Sequence, residues 1–245
     1  GHDGASGILH WHLVYILALA ADLETKLGEP ELAAYYARWT REAAQAGQAA
    51  FWDETRGLFA DTLAHTSFSD HAQAFAVLSR QLTAAQRRRL AKTWPSAERS
   101  RATYYFLHYV LEAFRLLGLD APLYAQLRRW DSEMVQPGLK TPLERVEPSR
   151  SDCHAWSSHP LYHYFATVLG IRPAEPGFAS VEIAPLPGDL EYAEGTLVHP
   201  SGGEIRVEVE RQGRRLRGLV ELPPGLRGTL RLGARTIPIE GRLNF

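Results

Sequence analysis

The chain has 245 residues, 45% of them apolar and 22% charged, which is enough for one large domain or two modest ones with a real core. The 27 Lys and Arg residues nearly balance the 28 Asp and Glu residues, so neither a nucleic-acid backbone nor an anionic membrane is expected as the main partner. The single cysteine, Cys153, excludes an internal disulfide, and packing must supply the stability.

We expect the early apolar stretch, residues 8–21, to be neither a signal peptide nor a membrane span. It contains His10, Trp11 and His12, has no basic region before it and no stop-transfer pattern after it. The chain opens at Gly1, without Met, almost directly into this helical pattern. We therefore expect a piece of a longer protein, and the missing leader and single cysteine favour the cytoplasm.

Helix signals recur through the first 170 residues, where apolar side chains are spaced by three and four. Three of the predicted helices cover about residues 100–117, 120–134 and 157–169. The start signals are Ser6, Pro30, Ser69 and the capping box Thr83–Gln86, and the stop signals are Gly28 and Gly170. No strand pattern lies between the long helices, which excludes a βαβ architecture. The pattern favours an array or toroid of helical hairpins, and no fixed-period repeat indicates a solenoid.

After Pro173 the apolar period changes to two. Residues 205–209 alternate apolar and charged side chains, Gln212–Gly213 forms a turn, and residues 216–222 return with the same alternation. Short apolar runs separated by Gly and Pro continue to the end of the chain. We predict an all-β module over residues 174–245, as a small antiparallel sandwich.

The segment between the two halves, residues 138–170, contains the candidate chemistry. Pro142 and Pro148 predict a loop that leads into the helix near Ser157. The loop places five polar or aromatic side chains around the start of that helix: Glu144, Glu147, Asp152, His154 and Trp156. The free N–H groups and partial positive charge at a helix start favour the ionised form of a carboxylate.

This segment resembles bacterial α-L-rhamnosidases. The resemblance is carried by a Thr-containing turn that ends in Glu (residues 141–144), the run Ser-Asp-Cys-His-Ala-Trp-Ser (151–157), Leu-Gly-Ile-Arg-Pro (169–173) and Pro-Gly-Phe followed by a strand (176–185). It extends upstream through residues 51–61 and 68–72. The resemblance implies a multi-domain protein of mixed α and β structure. Residues 1–173 would be the C-terminal part of an (α/α)6 barrel, and residues 174–245 a β-sandwich.

The resemblance also implies an activity, the inverting hydrolysis of terminal α-L-rhamnosides. Inversion uses two carboxyl groups about 6.5–9.5 Å apart, one of which protonates the leaving oxygen while the other activates water. Glu144 matches the family's general base, His154 its sugar-contacting histidine, and Trp156 lies beside it. The general acid is expected in the missing N-terminal part, so the chain alone should be inactive. The expected partners are a rhamnose-containing glycoside and that missing part.

Each assignment has an alternative. Glu147 is the fallback for the base, since the Pro-rich loop leaves its register open. His154 would otherwise satisfy a buried hydrogen bond, and Trp156 would belong to the core. The Asp70–His71 pair and Tyr104–Tyr105, each at the start of a helix, are possible further residues of the sugar pocket, and His71 and Tyr104 are the preferred members.

Three other features are interpreted as structural. His159 and His163 have the i, i+4 spacing of metal ligands, but no Glu completes an H-E-x-x-H pattern, so no metal and no cofactor is expected. Cys153 has no further pattern of a nucleophile around it. The run from Trp52 to Gly57 resembles an active-site motif only superficially.

Two alternative functions remain open from the sequence. One is another (α/α)6 carbohydrate-active enzyme, such as a glucoamylase-like hydrolase or a polysaccharide lyase. The other is a non-catalytic carbohydrate-binding fragment, which would hold sugar without chemistry.

Overall fold

The computed structural model describes residues 4–146, 148, 150–213 and 215–245. The chain folds into two compact units, Gly1–Ser157 and Ser158–Phe245. The first unit is mostly helical and the second mostly β, so the predicted class of mixed α and β structure is confirmed.

The helical unit contains six α-helices and one small hairpin among its described residues. They are α1 (Gly7–Leu27), α2 (Pro30–Phe51), the hairpin strands β1 (Trp52–Asp53) and β2 (Leu58–Phe59), α3 (Asp70–Leu78), α4 (Ala84–Thr93), α5 (Tyr104–Leu117) and α6 (Asp120–Trp130). A π-turn, Asp131–Val135, extends α6, and 3-10 turns occupy Trp94–Ser96 and Ala155–Ser157. Helix α1 packs on α2 and α3, α3 packs on α5, and α5 packs on α6, as expected for successive hairpins.

The predicted caps begin and end these helices. The Ser6 hydroxyl accepts from the backbone of α1, and Gly28 ends that helix in the left-handed region at φ 82°. Thr83 and Gln86 form the reciprocal capping box of α4. Helix α5 begins at Tyr104 rather than near residue 100, because Ser100 pairs with Phe68 and Asp70 through backbone hydrogen bonds.

Helix α1 is long and apolar enough, by length and composition alone, to cross a membrane, with a hydropathy of 1.2. Core helices of soluble proteins pass the same test. One side of α1 is buried through Trp11, Val14 and Leu17. A second set of large apolar side chains on the helix is exposed: Leu9, Leu13, Ile16, Leu19, Leu23 and Leu27.

The second unit contains one short helix and eight strands among its described residues. They are α7 (Pro160–His163), continued by a π-turn (Tyr164–Val168), then β3 (Ile171–Pro173), β4 (Ser180–Ile183), β5 (Tyr192–Val198), β6 (Glu204–Gln212), β7 (Arg215–Glu221), β8 (Arg227–Leu232), β9 (Arg235–Glu240) and β10 (Arg242–Asn244). They form two four-stranded sheets, ordered β10-β7-β6-β5 and β3-β4-β8-β9.

One hydrophobic core joins the two sheets. Val207 and Val220 from one sheet and Ile183 and Leu230 from the other belong to the same buried cluster. The predicted hairpin is the β6–β7 pair, with Gln212 opposite Arg215. The prediction of a purely antiparallel module is corrected at one place, because β4 and β8 pair in parallel. Between these two strands the chain forms β5, β6 and β7 of the other sheet, and it returns in the same direction.

The segment predicted as one helix over residues 157–169 consists of three short pieces. Pro160 has no N–H to continue a preceding turn, so a new helix starts there. Leu169, near its end, packs in the core of the second unit. Gly170 follows at φ 73°, and a Cβ there would lie 2.1 Å from the backbone of Ala184. The compact units meet at residues 157 and 158, and the domain division at residue 173 stays a prediction.

Asp70 is the most extensively bonded buried carboxylate in the described helical unit. It accepts hydrogen bonds from the Trp94 indole at 2.8 Å and the Ala102 backbone at 2.9 Å, and it forms an ion pair with Arg99. The two charged side chains are only 2% and 4% exposed. A buried charge is tolerated when it is paired and hydrogen-bonded in this way.

We expect Asp70→Ala to lower the free energy of unfolding by about 3–5 kcal/mol, because it leaves Arg99 buried without its counter-charge. Urea unfolding followed by circular dichroism measures the change. The matched control is Asp22→Ala, which removes the exposed i, i+4 partner of Lys26 and should change the stability by about 1 kcal/mol or less. Equal losses in the two variants would contradict a structural role for the Asp70 network.

Candidate active site

The loop predicted to carry the chemistry folds back on itself. Its first part, residues 141–144, and its last part, residues 151–154, lie side by side. Three hydrogen bonds join them: the Thr141 hydroxyl to the Asp152 carbonyl, the Glu144 N–H to the Ser151 carbonyl at 2.9 Å, and the His154 N–H to the Pro142 carbonyl at 2.9 Å. Glu144 and His154, ten residues apart in the sequence, are thereby held on adjoining segments of one folded loop, where His154 acts electrostatically on Glu144.

Glu144 is held as a carboxylate by Arg150. The guanidinium donates to both carboxylate oxygens, with Nε 3.0 Å from Oε2. This hydrogen bond is the main cause that lowers the pKa of Glu144 below its ordinary value, and the charges of Arg150, His154 and Arg145 lower it further. The side chain is therefore ionised at neutral pH, as a base that accepts a proton from water must be. Sequence reasoning missed Arg150, which lies six residues away on an irregular loop.

His154 and Trp156 follow directly on this loop. Their rings meet edge to face with centroids 4.5 Å apart. Among the described residues, Nε2 of His154 is buried and has no hydrogen-bond partner. A buried imidazole nitrogen without a hydrogen-bond partner costs free energy unless a ligand or a water molecule satisfies it.

The neighbouring tyrosines at the start of α5 have different environments. Tyr104 is only 1% exposed, and its hydroxyl donates to Glu133, which also pairs with Arg129 at 3.0 Å. Burial, followed by Glu133, raises the pKa of Tyr104 above its usual range. Tyr105 is exposed, and its ring lies 5.2 Å from that of Trp156. Of the two tyrosines, Tyr105 therefore lies beside the loop, while Tyr104 faces the interior.

Helix α6 fixes the turn that carries Trp156. The indole N–H of Trp130 donates to the carbonyl of Ser157 at 2.6 Å, in a buried position. The Ser157 N–H in turn donates to the His154 carbonyl at 2.9 Å. The 3-10 turn of residues 155–157 is thus bonded at its end to a core tryptophan.

His71, the other predicted pocket residue, belongs to a different cluster. Its ring packs on Phe106 with centroids 4.0 Å apart, and burial lowers its pKa. Asp61, whose pKa is raised by burial, accepts from the Ser69 hydroxyl at 2.7 Å and interacts electrostatically with His71. The loop brings together Glu144, His154 and Trp156. His71 is not on this loop, and its electrostatic partners include Asp61.

The remaining candidates are placed as follows. Glu147 lies outside the described residues. Cys153 is exposed. The ring of His163 is buried, and its Nδ1 lies 3.1 Å from the Thr167 hydroxyl. Trp52 packs on Phe59 at 4.9 Å within the β1–β2 hairpin, which fits a structural interpretation of that run.

Residues 170–239 match the family model described as the bacterial alpha-L-rhamnosidase C-terminal domain. A search of the curated proteins finds no significant match to the chain. The predicted resemblance to α-L-rhamnosidases is confirmed by the domain match and by the solved structures described next.

The fold of the whole chain recurs in solved rhamnosidases. A GH78 family rhamnosidase of Bacillus sp. GL1 matches with a TM-score of 0.80 and 23% identity over 95% of this chain and 26% of its own. An α-L-rhamnosidase from Aspergillus terreus matches with a TM-score of 0.72 and 20% identity over 92% of this chain and 28% of its own. A Klebsiella oxytoca rhamnosidase with rhamnose bound has a TM-score of 0.55 and 28% identity over 64% of this chain and 33% of its own. This chain thus spans about a quarter to a third of their length.

The Glu144–Arg150 pair yields a prediction about charge. We expect Arg150→Ala to raise the pKa of Glu144 towards its ordinary value, because the first cause of the lowered pKa is removed. Carbon-13 NMR titration of the glutamate carboxyl carbon measures the shift. Arg145→Ala is the control and should change this pKa less, since Arg145 is the smallest contributor. An unchanged pKa in Arg150→Ala would contradict the ion pair.

Proposed function

We propose that the protein is a glycoside hydrolase that removes terminal α-L-rhamnose from glycosides with inversion, and that Glu144 is its general base. The observation that carries the proposal is the folded-back loop. It places an ionised carboxylate beside an imidazole with an unsatisfied nitrogen, in a chain with the fold of the C-terminal part of rhamnosidases. Loop residues held by a rigid scaffold are the common form of a catalytic site.

In the proposed reaction the Glu144 carboxylate accepts a proton from the water that attacks the anomeric carbon. Arg150 keeps the carboxylate ionised, and the substrate or water must displace part of this ion pair before an oxygen can act. An inverting enzyme also requires an acid on the other side of the sugar, at about 6.5–9.5 Å from the base. We place that acid in a part of the protein outside these residues, within a completed (α/α)6 barrel. The chain by itself is then inactive.

Sugar binding in this proposal depends on His154 and Trp156. Nε2 of His154 donates to or accepts from a sugar hydroxyl, according to the tautomer. The exposed face of Trp156 covers an apolar part of the sugar, such as the methyl group of a 6-deoxy ring. The partners proposed are a rhamnose-containing glycoside and the rest of the polypeptide, with no nucleic acid and no membrane.

We expect Glu144→Gln, made in the full-length protein, to lower kcat for 4-nitrophenyl α-L-rhamnoside by at least roughly 10²–10⁴-fold, because an amide cannot accept the proton. Rhamnose binding should be retained, as measured by calorimetric titration. Glu147→Gln is the matched control three residues along the loop, and it should keep its activity. The opposite result, with Glu147→Gln inactive and Glu144→Gln active, would assign the base to Glu147.

Recognition of the sugar is tested separately. We expect His154→Ala and Trp156→Ala each to weaken rhamnose binding by about 1–3 kcal/mol, through a lost hydrogen bond and a lost apolar contact respectively. Calorimetric titration of variants that unfold at the wild-type temperature measures the effect. Unchanged affinity in both would return these side chains to a purely structural role.

A further inference from the structure

Two exposed aromatic side chains lie next to each other at the candidate site. Trp156 is 58% exposed and Tyr105 is 47% exposed. Their ring centroids are 5.2 Å apart, and the rings are inclined by 46°. Packing another ring on a large aromatic side chain is favourable in free energy, so an exposed adjacent pair of rings is suited to bind a ring-shaped group.

Both rings are held on a rigid frame. Tyr105 lies in the first turn of α5, between Tyr104, whose hydroxyl donates to Glu133, and the buried Phe106. Trp156 lies in the 3-10 turn whose last carbonyl accepts from the Trp130 indole at 2.6 Å. Binding a ligand to side chains on a fixed backbone loses less conformational entropy than binding it to a mobile segment.

Trp156 also contacts the ring of His154, so the Tyr105–Trp156 pair lies close to the proposed rhamnose position. The indole contacts His154, with centroids 4.5 Å apart, and Tyr105, with centroids 5.2 Å apart. Tyr105 is therefore connected through Trp156 to the histidine proposed to hold rhamnose. A group bonded to that sugar lies near this aromatic cluster.

We propose that Tyr105 and Trp156 form a subsite for the group to which rhamnose is attached, and that this group is a six-membered ring, either aromatic or a second sugar. The subsite rests on the proposed rhamnosidase function and deepens it by naming the substrate class. Tyr105 is the specificity-determining residue, since Trp156 also neighbours the rhamnose position through His154. A leaving group without a ring has nothing to stack on Tyr105.

The experiment compares three substrates in the full-length protein: 4-nitrophenyl α-L-rhamnoside, a disaccharide of rhamnose on glucose, and methyl α-L-rhamnoside. We expect Tyr105→Ala to lower kcat/KM for at least one of the ring-bearing substrates by roughly threefold to tenfold, mainly through KM. The methyl glycoside should be cleaved as by the wild type. A loss confined to the nitrophenyl substrate identifies an aromatic group, and a loss confined to the disaccharide identifies a sugar.

Three further variants make the result specific. Tyr105→Phe keeps the ring and should keep the preference. Tyr105→Leu keeps apolar area without a ring and decides the question if Tyr105→Ala does not fold. Tyr192→Ala, on β5, removes a tyrosine of similar exposure, 51%, in the other unit and should change none of the rates.

The subsite is overturned if Tyr105→Ala or its leucine substitute affects all three substrates equally, or affects none. Failure of the underlying function has a different signature. Wild-type protein that cleaves none of the three rhamnosides rejects the proposed activity, and the subsite with it.

Discussion

The candidate site depends on the hydrogen bonds that fold the loop of residues 141–154 back on itself. Two of them are backbone bonds of 2.9 Å, from Glu144 to Ser151 and from His154 to Pro142. Without them, a carboxylate and an imidazole ten residues apart in a Pro-containing segment would share no fixed geometry. Catalytic groups need such fixed positions, because small displacements of a base from its water reduce the rate steeply.

The loop is fixed in turn by the helical unit. The Trp130 indole holds the Ser157 carbonyl, and the same end of α6 carries Arg129 and Glu133, which bind the Tyr104 hydroxyl. Buried polar groups that are mutually satisfied give a site one conformation. The consequence is that α5, α6 and the loop are connected by hydrogen bonds, and the exposed rings of Tyr105 and Trp156 are placed by the buried side chains of Tyr104 and Trp130.

Much of this fold could be predicted from the sequence, because its signals are local. The caps at Ser6 and Thr83 satisfy backbone groups within three residues, and the β6–β7 hairpin follows from alternation and a Gln-Gly turn. Non-local features could not be predicted in this way. The parallel β4–β8 pair depends on a long excursion of the chain, and the break at Pro160 separates a helix whose apolar spacing is continuous.

The residues of the candidate site also fall into two groups, those that the sequence could predict and those that it could not. Glu144, His154 and Trp156 were found through a motif, and the structure brings them to one loop. The choice between Tyr104 and Tyr105 could not be made from sequence, because two adjacent aromatic residues at a helix start differ only in which one faces the neighbouring helix. Packing against Trp130, with centroids 4.9 Å apart, turns Tyr104 inward and leaves Tyr105 at the surface. Arg150 has no sequence signal, since its role arises only when the loop closes.

The Glu144–Arg150 pair has two opposed effects on a base. By lowering the pKa it keeps the carboxylate ionised over a wider range of acidic pH, but it also makes the carboxylate a weaker proton acceptor. It further occupies both oxygens, one of which must be free to bind water. Arg150 is 70% exposed, whereas Glu144 is only 18% exposed, so water competes for the charge of the arginine more than for that of the carboxylate. Opening the pair therefore costs less free energy than opening a pair in which both charges are buried. Both charges of the Asp70–Arg99 pair are buried, and this difference in burial separates an ion pair that stabilises the fold from one that can take part in a reaction.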